Sequence, residues 1–302
     1  MGEGHTQADT AMTPWEYASR YLPVQVPGST QTYPIDISRY HLGIPTAAKD
    51  QILGAVTDHF ATNQRKNAAY RLKLNVNGVS VEFASRDELT PSLNAFWGKG
   101  SPEDCQIVLQ LALMLGGIKP DRLQGWADAN LGLDCNGFVG NYLFHEVQQN
   151  GWRQAPAKTE IGPSTTIDEY FKRWAQDPIE DLSRVVPGRM HLIVRVDDNG
   201  HVIPRYSGGK VGHIAITQPG ESMNQSFVTD SMGFYDMETA RLGMYGKFAL
   251  RTVEAGGPVK GVQKNWMVFV QPSKVKGVFE VRRDNIHMLD KVRIAPLRGR
   301  SV

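Results

Sequence analysis

The residues most able to do chemistry are Cys135 and His213. Cys135 stands in the run Gly132-Leu133-Asp134-Cys135-Asn136-Gly137-Phe138-Val139. From there Phe138, Val139, Tyr142, Leu143 and Val147 recur at spacings of three and four, which predicts a helix from Cys135 to about Gln149, stopped by Asn150-Gly151. A thiol in the first turn meets unpaired amides and the positive end of the helix dipole, which favour the thiolate that attacks carbonyl carbon. Asp134 can cap this helix, and Gly137 leaves space beside the sulfur for a substrate backbone. A buried structural cysteine in an amphipathic helix is the rival reading, and spacing alone does not exclude it.

His213 opens the alternating run His213-Ile214-Ala215-Ile216-Thr217. In a strand, His213, Ala215 and Thr217 share one face while Ile214 and Ile216 point to a core. Small Ala215 leaves the imidazole room to reach a helix N-terminus packed on the sheet, and Gly212 removes a side chain from its approach. A Cys–His pair needs proximity in space and not in sequence, so His213 is the expected base for Cys135. The other histidines read as structural: His145 lies two turns past Cys135, and His191 and His201 flank a hairpin. None stands at metal-ligand spacing with a cysteine, and His145-Glu146 lacks the second histidine of a zinc helix, so neither a metal nor another cofactor is expected.

The elements that must position this pair are partly visible. Residues 1 to about 45 read as an extended lead-in. Ile52, Leu53, Val56 and Phe60 give a helix to about residue 64, and Asn77-Gly78 joins two alternating runs into a hairpin with a type I′ turn. A helix follows from about Glu103 to Leu115, then strands at Met190–Val196, His201–Ile203, Val211–Thr217, Ser226–Asp230, Lys247–Thr252, Trp266–Val270 and Val278–Val281. A cysteine-bearing helix before an antiparallel sheet is an α+β order. The expected division is an N-terminal extension with a β-hairpin over 1–100, a catalytic domain over 101–290 and a tail over 291–302.

Composition excludes little. In 302 residues, 41% hydrophobic and 21% charged is ordinary for a globular chain able to bury one or two cores. A net charge of +2 gives no reason to expect nucleic acid or an anionic membrane as partner. The most apolar stretch, Ile107 to Leu115, is far short of a membrane span, so no membrane insertion is expected. The first thirty residues lack a signal-peptide core, which implies cytoplasmic synthesis and non-classical export or delivery if the site of action lies outside. The two cysteines, Cys105 and Cys135, are read as reduced.

Asp134-Cys135-Asn136-Gly137-Phe138-Val139 resembles the D-C-S-G-F/L-V signature of the NlpC family of cell-wall cysteine peptidases, departing from it at Asn136. Val185-Val186-Pro187-Gly188-Arg189-Met190 resembles the family's L-x-P-G-D-L turn, with Arg189 for Asp, and His213-Ile214-Ala215-Ile216-Thr217 resembles its H-V-G-I-Y strand. The resemblance covers roughly residues 100 to 282. It implies a papain-like core and a Cys135–His213 hydrolase. It also implies a third polar residue on the following strand, either Asp230, which the chemistry of a carboxylate favours, or Thr229, which alignment favours. The oxyanion hole would use the Cys135 amide and a donor from Gln124 or Trp126, although Trp126 reads equally as a core aromatic. The substrate implied is an amide bond in a peptidoglycan peptide. A delivered effector or phage-associated lysin fits a wall hydrolase without a signal, with an inhibitor or immunity protein as a further partner. The alternatives are an acyltransferase or peptidase on a non-wall substrate, and a catalytically degenerate binding protein.

Overall fold

A computed structural model of the chain describes residues 12–37, 39–41, 47–150, 165–204, 206–207, 210–224, 248–256, 261–283 and 286–298. Helix α1 (Pro14–Ser19) starts at a capping box formed by Thr13 and Glu16. A short hairpin of β1 (Val24–Pro27) and β2 (Thr32–Ile35) follows, then α2 (Ala47–Lys66), which buries Ile52, Val56 and Phe60. Strands β3 (Leu72–Val76) and β4 (Val79–Phe83) form the expected hairpin. Asn77 and Gly78 both have positive φ, 51° and 83°, as its tight turn requires.

Helix α3 (Arg86–Leu89) runs into a 3₁₀ segment, Thr90–Trp97, that ends at Gly98 with φ of 70°. Helices α4 (Pro102–Met114), α5 (Leu123–Asn130), α6 (Cys135–Asn150) and α7 (Ile167–Trp174) complete the helical part. Strands β5 (His191–Arg195), β6 (Tyr206–Ser207), β7 (Lys210–Val211), β8 (Ile214–Asn224), β9 (Phe248–Ala255), β10 (Val262–Pro272), β11 (Phe279–Arg283) and β12 (Ile286–Pro296) follow.

Six of these strands close on themselves in the order β10-β11-β12-β5-β8-β9, every pair antiparallel. The papain-like α+β core expected from the sequence is therefore corrected: the chain builds a closed antiparallel barrel with helices packed outside it. The decisive element is β12, whose second half falls in the stretch read as a tail. Val292 pairs with Phe279 on one side and with Arg195 on the other, so this strand joins β11 to β5 and leaves no edge. Register shifts near Phe269, Val281 and Thr217 supply the local bends that closure needs.

Alternation along the strands sends residues to two cores. Leu192, Val194, Ile214, Ile216, Val253 and Ala255 face outward into a large cluster with Phe138, Val139 and Tyr142 of α6. Ile193, Leu250, Met267, Phe269, Phe279, Val281, Val292 and Ile294 fill the barrel interior. Each such fully buried side chain contributes about 1.5–3 kcal/mol relative to exposure. The described residues before 100 belong to the outer cluster: Tyr17, Tyr21, Ile37 and Ile52 pack within it, and the Tyr142 hydroxyl donates to the Met12 carbonyl at 2.9 Å.

Candidate active site

The stretch leading into α6 is held extended by neighbours on both sides. The Leu133 amide donates to Arg39 O at 2.8 Å, the His41 amide to Leu133 O at 3.1 Å, and the Asp134 amide to Gly98 O at 3.0 Å. Asp134 then caps the helix through the Gly137 amide, while Lys99 donates to both its carboxylate oxygens at 2.9 and 2.7 Å. Lys99 is only 9% exposed, and its carbonyl accepts from Asn141 of α6 at 3.0 Å. The 98–101 loop is thus a cradle for the start of α6. Lys99 was not singled out from the sequence because it lies in a Pro/Ser/Gly-containing stretch that reads as a boundary.

Gly137 has a different reason from the one expected. A Cβ there would sit 2.1 Å from Gly98 O and 2.9 Å from Lys99 Cα, so its hydrogen admits the cradle rather than a substrate. Gly212 is also closely packed: a Cβ there would lie 2.3 Å from Ile203 O and 2.7 Å from Pro204 O, so its hydrogen lets the 203–204 backbone pass.

Cys135 is 5% exposed, with the amides of Ile214 and Asn136 directed at its sulfur. Burial first, and the Asp134 carboxylate second, push the thiol up to about 11, against the pull of those amides and of Lys99. The helix dipole alone therefore does not yield a resting thiolate. Burial outweighs it, and the cap carboxylate that completes the helix start also offsets its positive end.

His213 immediately precedes the Ile214 amide that reaches the sulfur, so the two candidates are joined through the backbone at the start of β8. Ile214 and Ile216 pack on α6, and the imidazole turns to the opposite, inner face of the barrel. There Nε2 hydrogen-bonds to Glu254 Oε2 of β9. Glu254 is wholly buried and accepts also from Arg283 Nη1 at 3.2 Å and, through Oε1, from Asn265 Nδ2 at 2.7 Å. Arg283 continues to Asp290 at 2.8 Å, and Asp290 to Arg195 at 2.7 Å. One end of the barrel interior is thus a connected polar network, and the other is apolar.

The network decides protonation. Burial alone would raise Glu254, but Arg283, His213 and Asn265 bring it down to about 2. Burial and the Arg283 charge lower His213 more than Glu254 raises it, so the resting imidazole is neutral. With Nε2 held by a carboxylate, Nδ1 is left as the proton acceptor, the tautomer a general base needs. A Cβ at Gly256 would lie 3.2 Å from His213 Cε1, so this glycine gives the ring its space. An ionised Cys135 lies within electrostatic reach of Arg283.

Asp230 and Thr229 fall outside the described residues. The carboxylate on His213 is Glu254, missed because the strand was ended at Thr252. A lone Glu between Val253 and Ala255, on the face of Leu250, was the signal available. Gln124 is spent elsewhere: its amide exchanges hydrogen bonds with Asp36 N at 3.0 Å and Asp36 O at 3.1 Å and donates to Asp128 at 2.9 Å, so it is not free to serve as an oxyanion donor. Trp126 packs edge-on against Phe96, with centroids 5.9 Å apart, as a partly buried core aromatic. His145 stacks on Tyr17, His201 is exposed beside Asp197, and His191 is buried in β5. Both cysteines are free. Among the described residues no three His, Cys, Asp or Glu side chains gather as metal ligands, and no helix is long and apolar enough to cross a membrane. Compared with models of known families, with curated proteins and with solved structures, the chain matches none.

Proposed function

We propose that the chain is a cysteine hydrolase in which Cys135 is the nucleophile, His213 the base and Glu254 the group that orients it. The observation that carries this reading is the anchored imidazole. Its Nε2 is bound to a buried, ionised carboxylate, and it adjoins the residue whose amide touches the Cys135 sulfur. Both partners rest neutral, so the thiol loses its proton to His213 as the sulfur attacks an amide carbonyl, a transfer that requires the imidazole to turn from the barrel interior toward Cys135. Glu254 stabilises the imidazolium that forms. The imidazolium then protonates the leaving amine. Water, deprotonated by His213, cleaves the thioester and releases the acid.

The substrate class rests on the resemblance of the Cys135 and His213 segments to the NlpC cell-wall peptidases, and is a peptidoglycan peptide. Incubation with purified peptidoglycan tests it. New amino groups and muropeptide fragments are expected from the wild type and none from Cys135→Ala; identical digests from the two proteins would remove the mechanism. The near-complete burial of Cys135 favours one rival, a silent binding protein. That rival predicts that peptidoglycan digestion is absent while binding to it persists.

A further inference from the structure

Away from Cys135, a cavity of about 550 Å³ opens between α7, the turn at 197–202 and the end of β12. That volume lies in the range of small-molecule sites. We propose that it binds a small ligand that joins a carboxylate or phosphate group to an apolar body, held by Arg293 and Arg298.

Arg293 is the anchor. It lies on β12, and its Nε is buried with no hydrogen-bond partner among the described residues. Its Nη2 lies beneath Gly200, where φ is 82° and a Cβ would stand 3.1 Å away, so the turn is shaped to pass over the guanidinium. On the cavity wall this guanidinium has no ion-pair partner among the described residues, and an oxyanion is the acceptor its planar fork fits best. Arg298, on the same wall, donates its Nε to Ala175 O, which fixes the plane of a second guanidinium.

The remaining charges on the wall are largely spoken for. Lys172 pairs with Asp168 at 2.6 Å, and His201 stands 3.5 Å from Asp197. Asp177 is the lining carboxylate without an ion pair among the described residues, so two guanidiniums face one free carboxylate and the balance is positive. Phe171 and Val202 supply apolar wall, which is why a bare ion would fill the cavity poorly.

The test is calorimetric titration of the whole chain with benzoate, with phenyl phosphate and with phenol, at constant ionic strength. Saturable binding of at least one anion is expected, with phenol at least tenfold weaker. The tighter of the two anions identifies the oxyanion. Arg293→Met should weaken that anion tenfold or more, and so should Arg298→Met, an exposed change that keeps the proposal testable if the first variant fails to fold. Cys135→Ala should bind as the wild type does, which separates this site from the proposed hydrolysis. No saturable anion binding, phenol binding as tightly as the anions, or unchanged binding in either folded arginine variant would overturn the proposal.

Discussion

Replacing Glu254 by Gln removes one charge from the centre of the barrel network while keeping its shape. In the folded chain this carboxyl is held at about 2, well below the 4.5 of an unperturbed glutamate. At 1.36 kcal/mol per unit, the ionised form contributes about 3 kcal/mol to stability at neutral pH. The sign follows from proton binding. Between 4.5 and 2 the unfolded chain binds the proton and the folded chain does not, so the contribution is complete above 4.5 and is lost as pH falls through 2. The difference between wild type and Glu254→Gln should accordingly be about 3 kcal/mol at pH 7, clearly smaller at pH 3 and close to zero at pH 2. Glutamine can still accept from His213 and Arg283 with its oxygen, and Asn265 can rotate its amide to receive the new NH₂, so the loss is chiefly electrostatic. Urea unfolding of both proteins at these three pH values measures it. A variant within about 0.5 kcal/mol of the wild type at pH 7, or a deficit unchanged between pH 7 and pH 2, would refute the reasoning.

Gly137→Ala should destabilise the chain by about 3 kcal/mol although alanine is the better helix former by about 1 kcal/mol, because its Cβ would meet Gly98 O at 2.1 Å; a raised melting temperature would contradict the cradle. His191, buried in β5, is lowered by burial to about 4 from 6.5. The unfolded chain takes up its proton first, so about 3 kcal/mol of stability disappears as pH falls from 6.5 through 4. Thermal melts of His191→Gln should show a shallower acid limb than the wild type over that window, and parallel limbs would exclude the assignment.

What could be read from the sequence was local. Period and turn chemistry placed α2, α4, α6 and the Asn77-Gly78 hairpin, because each is decided by residues a few positions apart. Barrel closure is not of that kind. It depends on β12 meeting β5 across nearly a hundred residues, and although Val292 and Ile294 do alternate with polar neighbours, Asp290 on their face breaks the pattern. Inward charges hid the site in the same way. Glu254, Asn265, Arg283 and Arg195 face the lumen, where a strand is expected to place apolar residues; Glu254 accepts from Asn265 and Arg283, and Asp290 pairs with both Arg283 and Arg195. The Asp134 cap was legible, whereas its Lys99 partner and the packing roles of Gly137 and Gly212 came from contacts distant in sequence.

The central claim is that Cys135 forms a thioester during amide cleavage. Hydroxylamine added to a peptidoglycan digest intercepts such a thioester as a hydroxamate, detectable by mass spectrometry. The wild type should yield hydroxamates together with released amines, and Cys135→Ala and His213→Ala should yield neither. Amine release that persists in Cys135→Ala would contradict the account.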